Sequence, residues 1–261
     1  MNGARNDSQW GLSKIGINVV LGATALLALL FLMGVGMSLA LMPAPGDRPY
    51  EIPKLLELWW TLSRWMYVLV SVVLAIGLGM LAQAPRSVSG RALVIVALLA
   101  EVAGLGLDLV TWLITLVANR GKSGVFVLLD MSNALSSVVA CAGVITLVLG
   151  VGWMTQSVSG RMSLPAVGVV VLTAVIGYLV PLAARLIKVP LTYPGSPSAL
   201  VLNLISAVRY GAMLFVLWQG VRAISAAAAG AGAPMGGAPM GGPPMGGAPM
   251  GGPPMGGERR W

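Results

Sequence analysis

Long apolar runs divided by short polar breaks set the plan of this chain. Ile15 to Met42 carries no charge over 28 residues, enough for an α-helix to cross about 30 Å of hydrocarbon with some tilt. Five further runs follow at about 54–84, 92–118, 125–154, 164–189 and 198–224. The breaks hold the residues that start and stop helices: Pro43 to Pro53, Pro85 to Arg91, Asn119 to Gly124, Ser157 to Arg161, and Tyr193 to Pro197. Pro53 suits the first turn of the second helix. Trp59, Trp60, Trp65 and Tyr67 fall where they would form an aromatic belt at head-group depth. Residues 1–14 are polar. Ser38-Leu39-Ala40 has the small-x-small form of a signal cleavage site, but the apolar run before it spans 23 residues, against roughly 7–15 in a signal peptide. The first run therefore reads as a retained helix. The pattern predicts an all-α polytopic membrane bundle of six transmembrane helices, preceded by a polar segment and followed by a tail from residue 225.

Within that plan one segment occurs twice. Leu128 to Ser136 (Leu-Leu-Asp-Met-Ser-Asn-Ala-Leu-Ser) matches 55–63 (Leu-Leu-Glu-Leu-Trp-Trp-Thr-Leu-Ser) at an offset of 73. The offset persists through Gly77/Gly150, Gly79/Gly152 and Gln83/Gln156. Ala84, Pro85 and Arg86 then lack partners, and Ser-Val-Ser-Gly-Arg appears at both 87–91 and 157–161. A weaker echo at an offset of 70 relates Asn203 to Val208 with Asn133 to Val138. Repeated helical hairpins, two or three of them, would produce this pattern.

Composition agrees and removes several chemistries. The chain is 57% hydrophobic and 9% charged, with a mean hydropathy of +0.89, whereas soluble domains carry about 25% charged residues. With no His, the usual general base and the commonest zinc and haem ligand are missing. Cys141 is the only cysteine; it allows no intrachain disulfide and no iron–sulfur cluster, and it reads as a small buried thiol. No cofactor or metal is implied. The net charge of +8 fits loop cations against anionic lipid head groups rather than nucleic acid, so the partner that composition implies is the bilayer. Eight cations fall on the side of the termini, seven on the other, and Arg209 within a span. The positive-inside rule thus separates the faces poorly; a plasma (inner) membrane with both termini cytoplasmic is preferred because the long tail then needs no translocation.

Chemistry concentrates in polar positions inside the spans. Glu101, Gly104, Asp108, Thr111 and Thr115 fall on one stripe of the third helix. Asp130, Asn133, Ser137 and Cys141 form a second stripe on the fourth, and Asn203, Ser206, Arg209 and Tyr210 cluster on the sixth. A lone charge at mid-depth costs on the order of 2.5–3.5 kcal/mol on insertion scales. The expectation is therefore an intramembrane cluster of Glu101, Asp108, Asp130, Asn133, Asn203 and Arg209, with Asp108 and Arg209 paired. It would serve either as a translocation path or as a polar staple between helices.

Two further features bear on function. Asn119-Arg120-Gly121-Lys122-Ser123 contains the end of a phosphate-loop motif, but Leu116 stands where its first Gly is required and the context is an interhelical turn. Residues 233–257 are five pentapeptides of the APMGG and PPMGG type, a low-complexity composition that cannot offset the entropy of ordering. Their methionines could bind Cu(I) as soft thioethers, yet with neither Cys nor His nearby they read as a spacer. The tail ends in Glu258-Arg259-Arg260-Trp261. The residues present no nucleophile or diacid constellation for an enzyme. The leading expectation is a non-enzymatic scaffold or accessory subunit whose tail meets a protein partner. The alternative is a small secondary transporter or channel built on the acidic/Arg cluster, for which homo-oligomerisation would supply further helices.

Overall fold

The computed structural model describes residues 2–40, 54–118, 125–187 and 197–231. Among them every regular element is an α-helix: α1 (Asn2–Ala40), α2 (Lys54–Leu81), α3 (Arg91–Ala118), α4 (Val125–Ser159), α5 (Leu164–Leu186) and α6 (Pro197–Ala231). All six are long and apolar enough to cross a membrane, and the chain is a multi-pass membrane protein. The loop readings at 43–53 and 119–124, the turn at 193–196 and the tail beyond Ala231 lie outside the described residues, and Pro197 of that turn is the first residue of α6.

Helix ends depart from the sequence pattern where local chemistry explains it. Helix α1 begins at Asn2, so most of the polar segment extends the first span instead of preceding it. Helix α6 runs to Ala231 rather than Ile224, carried by Ala226 to Ala229, the best helix formers. Helix α2 stops at Leu81, whereas α4 continues to Ser159. Pro85, present only in the first copy, disfavours helical geometry at Ala84 and cannot donate a backbone hydrogen bond. Without it, α4 winds on into its Ser-Val-Ser segment. The glycine of that pentapeptide takes a left-handed backbone in both copies, with φ of 93° at Gly90 and 70° at Gly160, which requires a residue lacking Cβ. In the first copy Arg91 Nε also donates to the Ala82 carbonyl at 2.8 Å, satisfying an oxygen just past the end of α2.

Packing follows a ring. Helix α1 lies against α2 and α6, α2 against α3, α3 against α4, and α4 against α6, while α5 sits outside against α4 and α6. Large apolar side chains such as Leu69, Leu99, Leu135 and Leu172 face outward and exposed, as expected when lipid is the solvent. Lipid gives helices no hydrophobic reason to associate, so small residues that let backbones approach must do it. A Cβ on Gly16 would come within 2.5 Å of Leu81 N and 2.7 Å of the Gly77 carbonyl oxygen. On Gly90 it would collide with the Gly150 carbonyl oxygen and come within 3.0 Å of Met154 N. Gly16 meets Gly77 and Leu81 in the first hairpin as Gly90 meets Gly150 and Met154 in the second. Both contacts lie at the turn end, the end carrying the Ser-Val-Ser-Gly-Arg segments, and the fully buried residues Ile17, Leu78, Val94, Val148, Val151 and Leu217 surround them.

Gly16→Ala should therefore lower stability by about 1–3 kcal/mol, the usual range for overpacking a tight core. Gly79→Ala, with nothing within 4 Å of its added Cβ, should be neutral or slightly stabilising because Ala is the better helix former. Thermal unfolding in detergent checks both; equal midpoints for the two variants would exclude backbone contact as the clamp.

Candidate functional site

Toward the opposite end of the bundle, where α1, α3 and α5 end and α2, α4 and α6 begin, the ring holds an open cavity of about 990 Å³. Helices α1, α2, α3 and α6 wall it. Its polar groups include Arg64 on α2, Asp108 on α3, and Ser38 and Asn203 on α1 and α6; its aromatic groups are Phe31, Trp59, Trp65, Tyr67 and Trp112. A smaller recess of about 30 Å³ lies next to it between α2, α3 and α4 and shares the lining residues Tyr67, Leu105 and Asp108. Glu101 and Ser71 line this recess.

Each polar group is placed by a helix contact. On α3, the stripe of Glu101, Gly104, Asp108, Thr111 and Thr115 is half-buried and turned toward α4. Thr111 Oγ1 and Ser132 Oγ lie 2.7 Å apart, and Ser136 Oγ donates to Asp108 Oδ1 at 3.4 Å. Deeper, Ala100 faces Gly143, and Val94 faces Gly150, so one antiparallel register carries the two helices from end to end. Across the cavity Asn203 Nδ2 donates to Ser38 Oγ at 3.0 Å and to the Gly34 carbonyl at 3.5 Å, joining α6 to α1. Phe31 and Tyr210 stack below this pair with centroids 5.1 Å apart.

The six residues expected to form one cluster are distributed over this frame. Asp108 and Asn203 line the cavity and Glu101 lines the recess. Asn133 is half-buried and lines neither. Asp130 is exposed, because the face of α4 that meets α3 is that of Ser132 and Ser136; the stripe drawn through Asp130 lies to one side of it. Ser137, assigned to the same stripe, bonds instead to the Asn133 carbonyl of its own helix at 2.9 Å.

Arg209 departs furthest from expectation. Among the described residues it forms no ion pair with Asp108. The helices that carry the two residues, α3 and α6, do not touch. Arg209 turns instead toward α5. Its guanidinium carbon lies 4.4 Å from the Tyr178 ring centroid and 4.9 Å from that of Tyr210, and Nη2 donates to Ser206 Oγ at 3.4 Å. The side chain is only 2% exposed, and among the described residues its Nε and Nη1 have no hydrogen-bond partner. Aromatic faces replace a carboxylate here, each contributing about 2 kcal/mol when desolvated, and Gly177 makes the room, since a Cβ there would come within 3.1 Å of Nη1.

Sequence reasoning passed over Arg64, Tyr67 and Ser71. Their spacing of three and four residues puts them on one face of α2, a signal masked by reading the tryptophans around them as an interfacial belt. Arg64 is exposed and lines the cavity wall together with Asp108. The arrangement can hold a ligand between opposite charges, surround its apolar parts with aromatic rings, and offer a second carboxyl group one step deeper.

A double-mutant cycle of Arg209→Met with Asp108→Asn, read by unfolding in detergent, should give a coupling below about 0.5 kcal/mol, as for separated sites without shared partners. A coupling of several kcal/mol, typical of a broken buried pair, would instead place the two charges in contact. Comparison with protein-family models, with characterised proteins and with solved structures finds no match to this chain.

Proposed function

We propose that this protein is a small membrane carrier that binds its substrate in the cavity between α1, α2, α3 and α6 and uses Glu101 and Asp108 to couple movement to a proton or cation. What supports this is the adjacency of the two spaces: Asp108, with Tyr67 and Leu105, lines both the cavity and the recess, and Glu101 lies in the recess. Acids at this depth are expensive and mark ion pathways far more often than lipid-facing surfaces. A polar staple would bring its groups into mutual hydrogen bonds without leaving about 990 Å³ between helices. In this reading no chemical turnover occurs, the termini are cytoplasmic, and the α1–α2 and α3–α4 hairpins descend from one duplicated unit. Their glycine clamps would let each hairpin move as a body, so that cavity access changes by rocking rather than by unfolding. The accessory-subunit reading, with a partner at Arg259, Arg260 and Trp261, rests on residues outside those described.

Proteoliposomes holding an imposed pH gradient and an internal pH dye test the carrier reading. The wild-type protein should dissipate the gradient, and Glu101→Gln and Asp108→Asn should slow this at least tenfold while keeping their helical circular dichroism. A gradient that decays no faster than in protein-free vesicles would contradict transport and return the scaffold to first place.

A further inference from the structure

The cavity carries more information than its size. Two charges of opposite sign, Arg64 and Asp108, line it from neighbouring helices, and among the described residues no ion pair joins them. A cavity meant for an anion would have no use for the carboxylate, and one meant for a cation would gain nothing from the arginine. Left apart in the same wall, the pair forms a dipole whose complement is a molecule with both charges. The remaining wall is apolar and aromatic. Leu27, Leu30 and Phe31 on α1 face Leu105 and Leu109 on α3, and the volume of about 990 Å³ lies at the upper end of drug-sized ligand sites. An amino-acid-sized zwitterion would leave most of that space empty.

We infer that the ligand is a zwitterionic amphiphile. Its anionic group meets Arg64 and its cationic group meets Asp108 beside the rings of Tyr67 and Trp112. Its hydrocarbon part fills the space against α1 and α3. The rings suit a quaternary or primary ammonium by cation–π attraction. Trp65 on α2 and Leu109 on α3 line the cavity and are also exposed at the surface, which gives a chain its route between these helices. This inference rests on the proposed reading of the cavity as a ligand site.

Trp59, Trp65 and Trp112 line the cavity and make it readable. The full chain in detergent is titrated with three probes that share one brominated alkyl chain and differ only in head group: phosphocholine, trimethylammonium and sulfate. Bromine quenches nearby tryptophan, and a Trp59→Phe, Trp65→Phe, Trp112→Phe variant gives the background from the other tryptophans. The phosphocholine probe should bind at least tenfold tighter than either singly charged probe. Arg64→Gln should erase its advantage over the trimethylammonium probe, and Asp108→Asn its advantage over the sulfate probe. Equal affinities for all three, or preference for one single charge retained in both variants, would overturn the inference while leaving the cavity as a ligand site. Quenching no greater than in the triple-Phe variant would remove the ligand site itself, and this inference with it. A brominated diacyl phosphocholine in vesicles separates the sources: cavity quenching there supports a bilayer lipid, and cavity quenching by the single-chain probe alone supports a soluble amphiphile.

Discussion

Two backbone-to-backbone contacts, Gly16 on Gly77 and Leu81, and Gly90 on Gly150 and Met154, determine how the rest of this bundle can be arranged. In lipid, leucine on a helix surface is as content facing acyl chains as facing another helix, so association depends on dispersion between closely approaching backbones and on hydrogen bonds. The glycines supply that approach at the turn end, where the buried apolar side chains also gather. Toward the other end Asn203 with Ser38 still holds α6 to α1, but among the described residues no glycine backbone contact of this kind draws α2 to α1 or α3, and the space between the helices becomes the cavity. A tight end and a hollow end are thus two results of one distribution of small residues.

Polar groups complete the frame and divide the charges. The α3–α4 interface is stitched by Thr111 with Ser132 and Asp108 with Ser136, and α6 is tied to α1 by Asn203 with Ser38. Because the ring closes through α4 and α6 and leaves α5 outside, the cation on α6 turns to tyrosines rather than to the acids of α3. Glu101 and Asp108 therefore line the spaces inside the ring together with Arg64, while Arg209 lies buried against α5. Neither needs the other to be tolerated: Asp108 has Ser136 and the cavity, and Arg209 has two aromatic faces.

Sequence pattern carried the architecture well because the signal for a span is summed over twenty or more residues. The six runs and the half-buried stripe on α3 both rest on such extended periodicity. What failed rests on single angular steps. One residue of rotation on a helix is about 100°, from 3.6 residues per turn, and that is the difference between the stripe of Asp130 and Asn133 and the face of Ser132 and Ser136 that α3 meets. Similarly, equal depth in the membrane made Asp108 and Arg209 look like partners, but depth says nothing about which helices touch. Topology decided that, and six apolar helices permit many topologies. Arg64, Tyr67 and Ser71 were hidden by their neighbours, since a face rich in tryptophan reads as an interface belt before it reads as a cavity wall.

The most direct test of a bundle clamped at one end and hollow at the other is thiol accessibility. In a Cys141→Ala background, single cysteines are placed at Leu105 and Asn203 in the cavity wall and at Leu78 and Val148 in the turn-end core, then exposed to a membrane-impermeant maleimide on sealed vesicles. Leu105→Cys and Asn203→Cys should label from one face of the membrane only, and Leu78→Cys and Val148→Cys should remain unlabelled. Labelling of the turn-end pair, or equal protection of all four positions, would contradict this structure of the bundle.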